Sequence, residues 1–215
     1  MHTPKTAVIL VDSVTGNTQL IANNAQQVFE QHGIATKMIS LKELDVPLAK
    51  SYRSEVFQKP GEADEAYEER SAAMIAEAQA AVRNEIEGAD YIICATWNRR
   101  SAWSYAFALV LPAFAQKKIS IMMTSGSVME PYQTRCREKL VDMLDETTEV
   151  AGIFVCQGKM RPSVREKYMR LHNQMSDSPE KIAMRIANFD EALNHPNEAD
   201  FAAARAFISE LIANE

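Results

Sequence analysis

Ser13-Val14-Thr15-Gly16-Asn17-Thr18 has the chemistry of an anion cradle. Ser13, Thr15 and Thr18 offer hydroxyl donors, and Gly16 permits a backbone turn that a side chain would obstruct. The apolar run Ala7–Val11 precedes the loop, and Leu20, Ile21, Ala25, Val28 and Phe29 follow it at helical spacing. A loop that leaves a strand and opens a helix aims several backbone N–H groups at one point, and the helix dipole there favours negative charge. With no Lys or Arg inside the run, a phosphate would be held by neutral donors. GxxxxGK[ST] and GxGxxG are both absent, and Gly158-Lys159 is a decoy because Met160 stands where a hydroxyl is required. Helix capping by Asn17 or Thr18 is the plainer alternative, but a cap needs one polar residue, not a run.

Two more segments have types suited to a ligand. Thr96-Trp97-Asn98-Arg99-Arg100-Ser101-Ala102-Trp103 contains both tryptophans of the chain. An indole presents a rigid face to a flat ring or fills a core equally well; Trp103 reads as core, and the residues alone leave both roles open for Trp97. Thr124-Ser125-Gly126-Ser127 is the second. Cys156–Pro162 leads into a basic stretch with Arg165, Lys167 and Arg170, readable as a solvated face or as a rim for a substrate or partner. Cys94, Cys136 and Cys156 form no CxxC pair, and with four scattered histidines they make no metal spacing. Neither a Ser-His-Asp arrangement nor an HExxH motif is present.

The elements that must position these segments are legible in the apolar pattern. Ala7–Val11, Met38–Leu41, Tyr91–Ala95, Ile119–Met123 and Gly152–Cys156 are short apolar runs. Four of them do not alternate with polar residues, as expected of strands covered on both faces. Helical patterns lie between them, with Gly33 ending the first and Asp64–Glu87 forming a longer one. Alternation of this kind predicts right-handed crossovers and a doubly wound α/β parallel sheet. Residues 44–61, carrying Pro47, Pro60 and Gly61, read as an irregular excursion. Pro162–Met175, Pro179–Leu193 and Glu198–Ile212 read as extra C-terminal helices, and one domain over residues 1–215 is expected, its core spanning about 5–160. The net charge of −6 argues against a nucleic-acid partner. Neither a signal-peptide core nor a stretch of membrane-spanning length is visible, so a cytoplasmic protein is expected.

The run at Ser13–Thr18 resembles the phosphate loop of the flavodoxin family, [ST]-x-T-G-N-T, at each defined position. The resemblance extends to the order of elements over roughly residues 5–160. It implies a flavodoxin-like sheet of order 2-1-3-4-5 with helices on both faces, and flavin mononucleotide (FMN) as cofactor. Ligands in such sheets bind at the carboxyl ends of the strands beside the switch point. The implied cofactor-binding residues are Ser13, Val14, Thr15, Gly16, Asn17, Thr18, Thr96, Trp97, Asn98, Arg99, Thr124, Ser125 and Gly126. Thr96-Trp97 is similar to the family's ring-packing Thr-Trp pair. A tyrosine that often covers the ring's outer face has no close counterpart, which leaves that face open or under Met129. Arg99 and Arg100 depart from the acidic surround of ordinary flavodoxins, so a less negative potential is expected. With its tail, the chain also resembles a flavodoxin-like group of anaerobic and gut bacteria. The function implied is electron transfer between a reductase and an acceptor, through a redox partner protein. The alternatives are an FMN-dependent NAD(P)H oxidoreductase reducing a quinone, a flavin or another small acceptor, and a module that keeps the fold without flavin.

Overall fold

The computed structural model describes residues 5–49, 57–173 and 178–214. Its elements in chain order are β1 (Thr6–Val11), α1 (Asn17–Gln31), β2 (Ala35–Ser40), α2 (Asp64–Ile86), β3 (Tyr91–Trp97) and α3 (Tyr105–Val110). A 3-10 turn, Leu111–Phe114, then leads to β4 (Lys118–Ser125), α4 (Tyr132–Asp142), β5 (Glu149–Gln157), α5 (Pro162–Asn173), α6 (Pro179–Ala192) and α7 (Glu198–Ala213). All strand pairs are parallel, in the order β2-β1-β3-β4-β5. The switch point therefore falls between β1 and β3, as the resemblance implies.

Strand alternation sorts the core into two layers. Val8 and Leu10 of β1, with Ile92 and Cys94 of β3, face α2, α3 and α4. Ala7, Ile9 and Val11, with Ile93 and Ala95, face α1 and α7 instead. Both faces of the inner strands are covered, which explains their unbroken apolar runs. β2 is one of the two edge strands, and Thr36 and Met38 are only half-buried.

Three expectations shift. The strand runs extend further, so that Trp97, Ser125 and Gln157 end β3, β4 and β5. α3, a six-residue helix, was hidden in the apolar stretch after Trp103. The excursion at 44–61 falls partly outside the described residues, as does Met175 at the end of the expected helix from Pro162. In the described part, Leu41, Val46 and Ala49 are buried against β1 and α2, so the chain after β2 caps one core layer.

Both tryptophans flank one tight turn and have separate fates. Trp103 is buried, packs on Phe107 with ring centroids 5.4 Å apart, and donates its indole N–H to the Leu140 carbonyl at 2.9 Å. Replacing it with Ala leaves a large cavity and an unpaired carbonyl. Trp103→Ala is expected to cost about 3–5 kcal/mol in urea denaturation, with an unchanged m-value if the fold survives.

Candidate functional site

The carboxyl ends of β1, β3, β4 and β5 meet around one cleft. It encloses about 210 Å³ and reaches about 630 Å³ with its open mouth. Small-molecule sites run from about 300 to 1,000 Å³, so a ligand of that size would use the mouth as well as the enclosed part. The sheet register continues past the strand ends. The Asp12 amide donates to the Ala95 carbonyl at 2.9 Å, the Asn98 amide to Thr124 at 2.8 Å, and the Gly158 amide to Ser125 at 2.9 Å. Three of the loops are thus fixed at their first residue.

In the loop after β1, Val14, Thr15 and Asn17 line the cleft. Gly16 holds φ 86°, a left-handed conformation that favours glycine, and it turns the chain into α1. No side chain caps Asn17 or Thr18 at the helix start. First-turn N–H groups have no intrahelical carbonyl, which leaves those of Asn17 and Thr18 as donors for an anion. Ser13 does not line the cleft; its Oγ accepts from the Gln19 amide at 3.3 Å. Thr18 is buried and shares a 2.7 Å hydrogen bond with Thr124, tying this loop to β4. Asn17 donates to Thr15 Oγ1 at 3.0 Å and to the Lys159 carbonyl at 2.9 Å, tying it to the loop after β5.

Beyond β3, Trp97 and Asn98 line the cleft, whereas Thr96 is fully buried and accepts from the Ser104 amide at 3.2 Å. Arg100 and Ser101 both hold positive φ, 55° and 65°, and close a two-residue turn in which Arg99 and Ala102 exchange hydrogen bonds. Two consecutive left-handed residues without glycine store strain, a property that clusters at functional loops. Asn98 binds this turn together: its Oδ1 accepts from the Ser101 amide at 2.9 Å, and its Nδ2 donates to Ser125 Oγ at 3.1 Å and Cys136 Sγ at 3.0 Å. The Arg99 guanidinium lies over the Tyr105 ring, 3.1 Å from its centroid, outside the cleft lining.

Thr124, Ser125 and Gly126 form the third wall. The Gly126 carbonyl accepts from Asn188 of α6 at 2.8 Å and from Gln157 at 3.2 Å. Met129 is exposed and not part of the lining; the Met160 side chain lies against Gly126 instead. The tail helices therefore brace this wall.

The fourth wall was not among the expected cofactor residues: Gly158, Lys159, Met160, Arg161 and the first turn of α5 at Val164. Its strand-end position was its one visible signal. A Cβ on Gly158 would meet Asn17 Nδ2 at 2.8 Å, so only glycine lets the two loops approach this closely. Burial pushes the Cys94 and Cys156 thiols far above the ordinary range, making them inert core groups.

The donor set fits a phosphate-bearing flat ligand. Neutral N–H and hydroxyl donors face the helix start, an indole forms one wall, and Lys159 and Arg161 add positive charge. A parallel sheet of this order, with its ligand cleft at the β1/β3 switch point, defines a flavodoxin-like protein. The chain belongs to the flavodoxin family: the family's model, a flavodoxin domain, matches residues 62–209. That span begins at α2, so the loop at Ser13–Thr18 is an observation independent of it. The chain is 26% identical over 129 residues to the flavodoxin-like domain-containing protein BilS of Clostridioides difficile (strain CD3), covering 60% of this chain and 73% of that protein. It is 28% identical over 81 residues to BilS of Clostridium symbiosum (strain WAL-14163), covering 37% of this chain and 41% of that protein. Among solved structures, the NAD(P)H:quinone oxidoreductase from Methanothermobacter marburgensis has a TM-score of 0.50 at 13% identity, covering 95% of this chain and 98% of that one. Azoreductase AzrA also has a TM-score of 0.50, at 12% identity, covering 95% of this chain and 99% of that one. At such identities the structures show the fold alone.

His195 supports the fourth wall from behind. Its carbonyl accepts from the Lys159 amide at 3.0 Å, and its Nδ1 meets Asp200 at 2.5 Å. Burial alone lowers the imidazole pKa, but the bonds and charges of Asp200 and Glu191 outweigh it and leave it raised. A raised histidine adds stability that is complete below its unfolded value, about 6.5, and is lost as pH rises through the folded value. Thermal unfolding followed from pH 6 to 9 is expected to show that loss in the wild type, with a smaller slope in His195→Gln.

Proposed function

We propose that this cleft binds FMN and that the protein carries electrons between a reductase and an acceptor protein. The observation that carries the reading is the convergence of the Ser13–Thr18 loop and Trp97 on one cleft at the switch point. Thr15 and the Asn17 and Thr18 amides at the start of α1 would take the phosphate. Trp97, Asn98 and the Thr124–Gly126 strand end would flank the ring. When bound, FMN supplies the redox chemistry, and the protein sets its affinity and potential. The cleft lining has no His, Cys or carboxylate among the described residues, which favours a carrier over a second reading, an FMN-dependent NAD(P)H oxidoreductase. The supporting tail contacts at Gly126 and Lys159 fit a single domain in which α6 and α7 complete the site. The direct test is a visible spectrum of the purified protein before and after FMN, with NADPH added last. Flavin bands that NADPH leaves unbleached are expected; bleaching by NADPH alone moves the reading to the oxidoreductase, and a protein that ignores FMN overturns it.

Positive charge near the ring favours an anionic reduced flavin by direct Coulomb attraction. Lys159 and Arg161, in the lining, and Arg99, held on Tyr105, are the cations placed to act. Redox titration of Arg99→Ala and Lys159→Ala is expected to give more negative potentials than the wild type, with a larger shift for Lys159. Unchanged potentials in both would remove the electrostatic account.

A further inference from the structure

Asp12 stands one residue past β1, and it is only 2% exposed. Its Oδ2 accepts the Trp97 indole N–H at 2.9 Å. Its Oδ1 is buried too, and it has no hydrogen-bond partner among the described residues. The backbone amide bond to Ala95 fixes where the carboxyl group sits. Trp97 is half-buried, with part of its ring in the cleft lining. Accepting one indole N–H needs no charge; an amide or a backbone carbonyl would suffice. A buried carboxylate with an orphaned oxygen is costly, and such groups mark function more often than stability.

We propose that Asp12 is the positioning residue for the Trp97 wall: ionised, it holds the ring firmly against the cleft, and protonated, it holds it more weakly. A charge-assisted hydrogen bond is roughly twice as strong as a neutral one, so gain of a proton at the carboxyl weakens the hold on Nε1–H. Three described groups act on Asp12 besides its burial: the Ser104 hydroxyl at the start of α3, the Trp97 indole and the Lys42 ammonium after β2. Burial raises its pKa and these three lower it, with the net shift upward. The transition is therefore expected above the ordinary aspartate value of about 3.9. The pairing of Asp12 with Trp97 stands on its own, and its effect on FMN rests on the flavin site proposed above.

The test begins with folded protein free of FMN, following the two indole N–H resonances by NMR as pH is raised from about 3.5 to 8. Trp97 is expected to shift with a single ionisation that Asp12→Asn abolishes, while Trp103 stays constant. Lys42→Gln serves as a second variant if Asp12→Asn folds poorly; it is expected to move the midpoint upward, because the cation that favours ionised Asp12 is gone. A Trp97 signal that is flat in the wild type, or a midpoint unchanged in both variants, overturns the proposal. FMN affinity, measured by flavin fluorescence, is then expected to rise several-fold across the same midpoint in the wild type and to stay level in Asp12→Asn. Tight FMN binding with no pH dependence in either protein overturns the inference and leaves the flavin site standing. An intact Trp97 transition without FMN binding at any pH supports the pairing and overturns the flavin reading.

Discussion

Parallel pairing of β1 with β3 is the constraint on which the site depends. The chain leaves β1 for α1 on one face of the sheet and arrives at β3 from α2 on the other. Loops that follow these two strands must diverge, and divergence opens a cleft that no single loop could make. Everything placed in that cleft is held by register. Val11 pairs with Ala95 and Trp97 with Thr124, so the ends of β1, β3 and β4 are staggered like steps. A slip of one residue in any pair would turn the wall residues to the opposite face.

Loop-to-loop hydrogen bonds then convert neighbouring loops into one object. Thr18 meets Thr124, Asn17 reaches Lys159, Asn98 reaches Ser125, and Asn188 reaches Gly126. Amides and hydroxyls suit this task because each can donate and accept without the cost of burying a charge. Asp12 is the exception among them. It keeps a carboxyl group where the other residues use neutral ones, and its partner is the indole that walls the cleft.

The sheet was legible because its inner strands are covered on both faces, and covered strands leave unbroken apolar runs. The Ser13–Thr18 loop was legible because it has more polar residues than a helix cap needs. Yet individual duties inside it were not. Ser13 serves as a cap on Gln19, and Thr18 and Thr96 spend their hydroxyls inside the protein. Those duties depend on partners far along the chain, which spacing does not show. Asp12 reads in sequence as an ordinary acid at a strand end, and only the fold reveals that it is buried. Likewise Lys159 and Met160 read as a rim, and their closure over Asn17 and Gly126 follows from β5 running one residue past its apolar run, to Gln157.

α7 covers the apolar face of α1, where Ala204 and Ile208 pack among Ile21, Ala25 and Val28, and Arg205 binds Asn24 across a separation of 181 residues. During synthesis at ~5–20 residues per second, that face waits roughly 10–40 s for its cover to emerge. For this interval the nascent protein displays a greasy helix directly behind the Ser13–Thr18 loop. The core layer between α1 and the sheet is complete only once α7 has docked.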